Sequence, residues 1–405
     1  MVSEASEPTD TAVRCRFLLG EVAEEVFRTS LAADTRAARL SRAFRAYYLL
    51  RSLIPRPVRQ LLQRRRRVAA SPRWYLPDDF AAALVERIEA MSNGITTIHP
   101  WPDGADFAFV LTHDVETADG MRNVLRIADL EEELGFRSSW NIVPHKYPVD
   151  RGLLAELTDR GFEIGVHGYN HDGKLFTCRR TFDQRVPAIN AALRSYGAVG
   201  FRAPMVHRNL EWLQALEVEY DASCFDVDPF QAMPGGIGSV WPFIAGRFVE
   251  LPYTLPQDHT LFVALNQSDG QIWRRKLDYI VRLSGMALLV THPDYLDSPR
   301  RIECYRRFLL EALDMPGRWH ALPRDVASWW RQRDQSTLRR GLDGGWIVDG
   351  PAASRVRAAE LRVGGNAQRS LVEWGNAVAG AAFTLKVDVT TELTKAAQHA
   401  YTSFT

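Results

Sequence analysis

Between about residues 105 and 333, short apolar or β-branched runs alternate with longer stretches whose apolar positions recur at spacings of three and four. The runs are FAFVLTH, SSWNIV, FEIGVH, VGFRAP, YDASCF, RFVELPY and ALLVTH. Between them lie LRIADLEEELG, LLAELTDRG, VPAINAALRSYG, LEWLQALEVE and WRRKLDYIVRLSG, several closed by a glycine at the usual helix stop, and PRDVASWWRQR reads as the last helix. Repeated strand-helix units of this size predict parallel strands, and seven such strands suffice to close a barrel. The expected architecture is an α/β fold, a distorted (β/α)7 TIM-like barrel over residues 101–335.

The flanks carry other patterns. Residues 1–100 read as a helical, Arg-rich extension, with helical spacing through FLLGEVAEEVF and DDFAAALVERIEAM and breaks at Pro55, Pro57, Pro72 and Pro77. HPWPDGAD then reads as a turn into the first barrel strand. After residue 336, GGWIVDGP, RAAELRV and FTLKVDV read as short strands of a small β-rich appendage, 336–405.

The chain has 405 residues, 46% of them apolar, which is ample for a large core. A formal charge of +1 gives no case for nucleic acid. The local basic run Arg56, Arg59 and Arg64–Arg67, beside Leu61 and Leu62, offers a peripheral contact to anionic lipid. MVSEASEPTD has no secretory pattern and no apolar stretch is long enough to span a membrane, so the expected location is cytoplasmic. The four cysteines are far apart without a Cys-x2-Cys pair and read as reduced thiols. Oligomeric state leaves no mark on the sequence.

Candidate chemistry collects where the predicted strands end, the edge at which α/β barrels gather their ligands. Asp114 and Glu116 close FAFVLTHDVE and, two apart on a strand, share a face while Val115 packs away. Such a pair suits a general base beside a metal ligand. His167 and His171 end FEIGVHGYNH, and two imidazoles four apart converge on one cation if the backbone turns helically. Arg202 is followed by Ala203 and Pro204, and its guanidinium can hold a carboxylate through two hydrogen bonds. His292 closes ALLVTH, and a histidine there can protonate a departing amine. Asp221 in YDASCF can orient His292 or cap a helix.

In this order and placement the motifs resemble those of the polysaccharide deacetylase, or NodB-homology, family of carbohydrate esterases, over about residues 105–333. The resemblance implies one divalent cation, zinc foremost with cobalt, manganese or nickel as alternatives, and removal of N-acetyl or, less often, O-acetyl groups from a sugar or glycan intermediate. It implies Asp114 as base, His167 and His171 as metal ligands, Arg202 beside the base, and Pro204 and the Met205 backbone N–H at the oxyanion. It further implies Asp221 as the residue orienting His292, and His292 as acid. The chain departs from the common pattern in the first motif, where Val115 separates Asp114 from the next carboxylate, so Glu116 is taken as third ligand; Met205 stands where an aromatic is usual. His113, turned away from Asp114 by strand alternation, is read as structural. Two other readings stand beside this one: an amidohydrolase acting on a cyclic amide, and a non-catalytic glycan-binding or scaffold protein that keeps the barrel.

Overall fold

In the computed structural model the described residues are 21–41, 95–231 and 233–364, with short pieces at 15–16, 45–47 and 371–376 and isolated positions between 54 and 87. Strand β1 (Cys15–Arg16), helix α1 (Glu21–Ala37) and strand β2 (Ile95–Ile98) precede the barrel. Each of the seven predicted runs then forms a strand: β3 (Phe107–Val115), β4 (Ser139–Ile142), β5 (Glu163–His167), β6 (Gly200–Arg202), β7 (Tyr220–Asp221), β9 (Phe248–Glu250) and β10 (Met286–Thr291), with β8 (Phe243–Ala245) added between β7 and β9. Parallel pairing runs β10-β3-β4-β5-β6-β7-β9, and β8 and β1 continue the edge antiparallel. Strand β11 (Arg318–His320) pairs with the outer half of β3.

The sheet curls into the expected distorted (β/α)7 barrel. Its seam, between β9 and β10, is stitched by the segment after β9. Thr254 N–H and Leu255 N–H donate to the Leu288 carbonyl at 3.2 and 3.1 Å, and the Thr254 hydroxyl donates to the Met286 carbonyl at 2.6 Å. Every residue of β3 and β10 is buried, as strands covered on both faces require.

The covering helices are α2 (Ala118–Glu133), α3 (Arg151–Asp159), α4 (Arg179–Tyr196), α5 (Leu210–Leu213), α6 (Gln271–Arg282), α7 (Pro299–Leu313) and α8 (Pro323–Asp334). Thr117 caps α2 by accepting from the Gly120 N–H, and Asp150 caps α3 by accepting from Leu153. LEWLQALEVE, expected as a full helix, is helical only over Leu210–Leu213. Helix α7, which the sequence reading passed over, buries Cys304, Tyr305, Phe308, Leu309 and Ala312 against the barrel.

The flanks are partly as expected. Helix α1 confirms helical character within residues 1–100, but β2 lies in that region as well and pairs antiparallel with β14 (Ala358–Gly364), which pairs in turn with β15 (Leu371–Asn376). The expected strands in WIVD and AAELRV are present, the first pairing as β13 (Trp346–Asp349) with β12 (Thr337–Arg340). The expected strand FTLKVDV, helix DDFAAALVERIEAM for the most part, and the arginines at 56, 59 and 64–67 lie outside the described residues. Among the described residues no helix is long and apolar enough to cross a membrane.

At the N-terminal end of the barrel the carboxyl of Glu163 is buried, accepting from the Tyr220 hydroxyl at 2.7 Å and from the Arg324 N–H at 3.1 Å. Burial pushes it up, against the pull of Tyr220 and Arg324, to about 7. Its folded affinity for a proton exceeds the unfolded one, so its contribution to stability is full below pH 4.5 and is lost as pH rises through 7. Glu163→Gln should therefore narrow the fall in stability between pH 4.5 and 8 by a few kcal/mol, read from urea midpoints at both pH values. An unchanged fall would count against this assignment.

Candidate active site

Asp114, Glu116, His167, His171, Arg202 and His292 meet at the C-terminal end of the barrel, each from the end of a strand or the residues just after it. The Asp114 carboxylate is buried. Its Oδ1 accepts from Asn141 Nδ2 at 2.9 Å and from Arg202 Nη1 at 3.0 Å, while Oδ2 faces His167 Nε2 at 3.8 Å. Arg202 is fixed in turn, Nη1 to the Thr112 hydroxyl and Nε to the Ala222 carbonyl, both at 2.9 Å. Burial alone would raise the Asp114 carboxyl. The Arg202 guanidinium, His167, His292 and Asn141 together outweigh it and hold the carboxyl at about 2.

Glu116 lies just beyond the strand and is part-buried. Its Oε1 is 2.8 Å from His171 Nε2, 4.0 Å from His167 Nε2 and 3.8 Å from His292 Nε2. Despite burial, which raises it, the neighbouring imidazoles, His171 first, hold its carboxyl well below the usual range. His167 Nδ1–H donates to the Arg202 carbonyl at 3.1 Å, an arrangement that turns Nε2 inward. That Nε2 is buried with no hydrogen-bond partner, and His171 Nε2, also buried, has Glu116 Oε1 as its near neighbour at 2.8 Å. Burial, reinforced by His171 and Arg202, lowers His167 to about 4, so its Nε2 carries a lone pair at neutral pH.

These observations test whether the residues fit a divalent cation. One donor atom from each of Glu116, His167 and His171 lies within 4.8 Å of the others. Donors around a tetrahedral cation at about 2.0–2.2 Å sit roughly 3.3–3.6 Å apart, so small side-chain shifts suffice. A buried imidazole nitrogen without a partner, as at His167 Nε2, is costly unless a ligand satisfies it. The set fits. Asp114, committed to Arg202 and Asn141 through Oδ1, stands next to it.

Two glycines make room. A Cβ on Gly165 would meet Asn141 Oδ1 at 2.1 Å, so the glycine admits the side chain that orients Asp114. Gly168, with φ +66°, has Pro204 2.4 Å from where a Cβ would sit, which brings the Arg202–Pro204 turn against the histidine segment. His171 itself has φ +58°, a left-handed conformation uncommon outside glycine and frequent at functional sites.

The same architecture occurs in a solved structure. A protein of Mycobacterium smegmatis assigned as a polysaccharide deacetylase superposes on 60% of this chain and 96% of its own, with 22% identity and a TM-score of 0.50. The chain has the polysaccharide deacetylase fold. A Pseudomonas aeruginosa PAO1 protein given the same assignment aligns over 58% of this chain and 94% of its own at 15% identity and TM-score 0.48. A family 4 carbohydrate esterase from Streptomyces lividans, solved with acetate, covers 54% and 93% at 13% identity and TM-score 0.35. No family model matches the sequence.

On this deacetylase fold one partnership differs from the sequence expectation. Asp221 does not contact His292. It accepts from the Ser223 hydroxyl at 2.7 Å and the Ser223 N–H at 3.2 Å, and Ser223 Oγ accepts from the Ala203 N–H at 2.8 Å, so Asp221 steadies the turn after Arg202. The carboxylate on His292 is Asp258, whose Oδ1 takes Nδ1–H at 2.7 Å and whose Oδ2 takes the backbone N–H at 2.7 Å. Burial alone would lower His292; Asp258 reverses this, with Glu116 and Asp114, and raises it to about 10. His292 thus holds its proton at neutral pH, with Nε2 directed at Glu116.

Sequence reasoning also missed Asn141 and Asp294. Asp294 accepts from the Glu116 N–H at 3.3 Å and from the Thr117 hydroxyl, tying the loop after β10 to the Glu116 turn. THPD carried that signal two residues past His292, whereas Asp258 sits in a loop well past the end of β9. His113 behaves as read: it is buried, 2.7 Å from both Glu131 Oε1 and the Thr291 hydroxyl, and stacked on Trp140. Pro204 and Met205 lie on the turn beside the histidines, and Met205 has φ +58°.

Proposed function

We propose that the protein is a metal-dependent deacetylase that removes acetyl groups from the amines of amino sugars or glycans. The observation that carries the proposal is the meeting of the Glu116, His167 and His171 donors with an Arg202-clamped Asp114 and an Asp258-clamped His292. Likeness in fold to a protein assigned as a polysaccharide deacetylase supports it.

In this proposal Glu116, His167 and His171 hold one divalent cation, with zinc suited to the nitrogen-rich set. When bound, such a cation lowers the pKa of a bound water toward about 7 and polarises an acyl oxygen. Asp114 takes the proton of the attacking water at Oδ2, and its clamping by Arg202 and Asn141 keeps that oxygen aimed inward. A carboxylate at about 2 is a weak base by itself, so this role belongs to the loaded site. The Met205 N–H, on its left-handed turn, faces the developing oxyanion. His292, kept protonated by Asp258, delivers its proton to the departing amine. His167 Nδ1, held on the Arg202 carbonyl, keeps the imidazole oriented throughout.

The test joins metal content with product release. Purified wild-type protein should contain or take up one divalent ion per chain and release acetate from N-acetylglucosamine oligomers. Glu116→Gln and His171→Ala should weaken metal binding at least tenfold. Absence of stoichiometric metal, with no gain on adding zinc, cobalt or manganese, would overturn the proposal. Turnover of a cyclic ureide in place of acetylated sugars would reassign the substrate to a ring amide.

A further inference from the structure

We propose that Asp34, on α1, acts through Arg208 as a positioning residue for the turn Pro204–Val206 of the candidate site. This rests on the proposed function only for its kinetic readout.

The turn needs external support. Met205 and Val206 both have positive φ, +58° and +50°. Such a residue is disfavoured and persists only where its surroundings over-determine it; a β-branched valine is the harder case. Within the turn Val206 N–H donates to the Ala203 carbonyl at 3.1 Å and His207 N–H to the Pro204 carbonyl at 3.3 Å. From outside, Arg208 Nη1 donates to the Val206 carbonyl at 3.1 Å.

Arg208 is held by the N-terminal helix. Its Nε donates to Asp34 Oδ2 at 3.1 Å and its Nη2 to Asp34 Oδ1, a bidentate pair whose side chains are 2% and 3% exposed. The Gly236 N–H also donates to Asp34 Oδ1, at 2.7 Å, and the guanidinium lies 4.8 Å from the Phe225 ring centre. Burial would lower the Arg208 pKa, and Asp34 reverses the direction. The helix is seated independently by Phe27 on Phe243, with ring centres 4.8 Å apart, and by the Ser30 hydroxyl on the Ile237 carbonyl. At its other end the turn bears on Gly168 through Pro204, beside the histidine pair. One chain of contacts therefore runs from α1 through Arg208 and Val206 to the site, joining segments far apart in sequence. Removing the Asp34 carboxylate leaves a buried guanidinium without its counter-charge, free to release the Val206 carbonyl, and a displacement of about 1 Å at a reacting centre can cost on the order of 100-fold in rate.

The experiment compares wild type with Asp34→Asn, Asp34→Ala and Ser30→Ala, the last loosening the helix without touching Arg208. In the zinc-loaded proteins, NMR of the Met205 and Val206 methyl groups should show a shift with Asp34→Ala, a smaller one with Asp34→Asn, and none with Ser30→Ala. On acetylated glucosamine oligomers kcat should fall 10- to 100-fold in Asp34→Ala with KM and zinc affinity within threefold, and Ser30→Ala should match wild type. If Asp34→Ala does not fold, Asp34→Asn carries the comparison. Unmoved methyl resonances in a folded Asp34 variant, or equal losses in Ser30→Ala, would overturn the inference. A wild type that deacetylates nothing while the Asp34 variants still move those resonances would instead defeat the proposed function alone.

Discussion

Asp114→Asn is expected to lower the rate of acetate release about 1000-fold while one divalent ion per chain stays bound. Asparagine keeps the size of the side chain and an oxygen for Arg202 and Asn141, and Arg202 retains Thr112 and Ala222 as acceptors. The substitution replaces Oδ2, the Asp114 oxygen that faces His167, with an amide that accepts no proton. General base catalysis by a placed group is worth about 10²- to 10⁴-fold, which sets the magnitude. Glu116, His167 and His171 are untouched, so metal content measured by elemental analysis should not change. Undiminished turnover in that variant would remove Asp114 from the chemistry, and loss of metal would make Asp114 a ligand in place of a base.

Lys276→Met should cost about 3–5 kcal/mol of unfolding free energy at pH 8, the usual penalty for stripping a buried charge of its partner. Lys276 and Asp226 are both fully buried, with Nζ 2.6 Å from Asp226 Oδ2, and Nζ also reaches the Val227 carbonyl at 3.3 Å. Asp228 lies in the same pocket, accepting from the Tyr253 hydroxyl at 3.2 Å. The pair pins α6 to the segment after β7, on the flank where the barrel seam is stitched. Burial, opposed by Lys276, pushes the Asp226 carboxyl to about 7. It is raised above its unfolded value, so it protonates in the fold as pH falls below 7 and then needs no cation. The deficit of the variant should accordingly shrink by about 1 kcal/mol at pH 5, and Asp226→Asn in the same chain should recover part of it at pH 8. Urea unfolding at the two pH values measures both, and a loss below 1 kcal/mol at pH 8 would show that the pair contributes little.

The barrel was legible because its strands are short apolar runs closed by polar residues, a signal that survives without any partner in view. The candidate site was legible where its residues sit at those closures: Asp114, His167, Arg202 and His292 announce themselves by position. Asp258 does not, since it lies in the loop well past the end of β9 and only the folded chain brings it to His292. Asp34 was hidden for another reason, because a single carboxylate on an amphipathic helix reads as part of the solvated face, and here it is 3% exposed against an arginine. Helix α7 has a regular apolar stripe, but Arg300, Arg301, Arg306 and Arg307 dilute it. Strand β2 is four residues whose only strand partner among the described residues, β14, lies beyond the whole barrel.

That last pairing has a consequence for how the chain comes to be folded. On the ribosome Ile95–Ile98 emerges long before Ala358–Gly364, and until then it is an unpaired edge able to recruit another strand. Closing the ladder also means looping out the entire barrel, an entropic step that short-range contacts do not repay, so the flanking sheet should be the slow phase of refolding and the barrel the fast one.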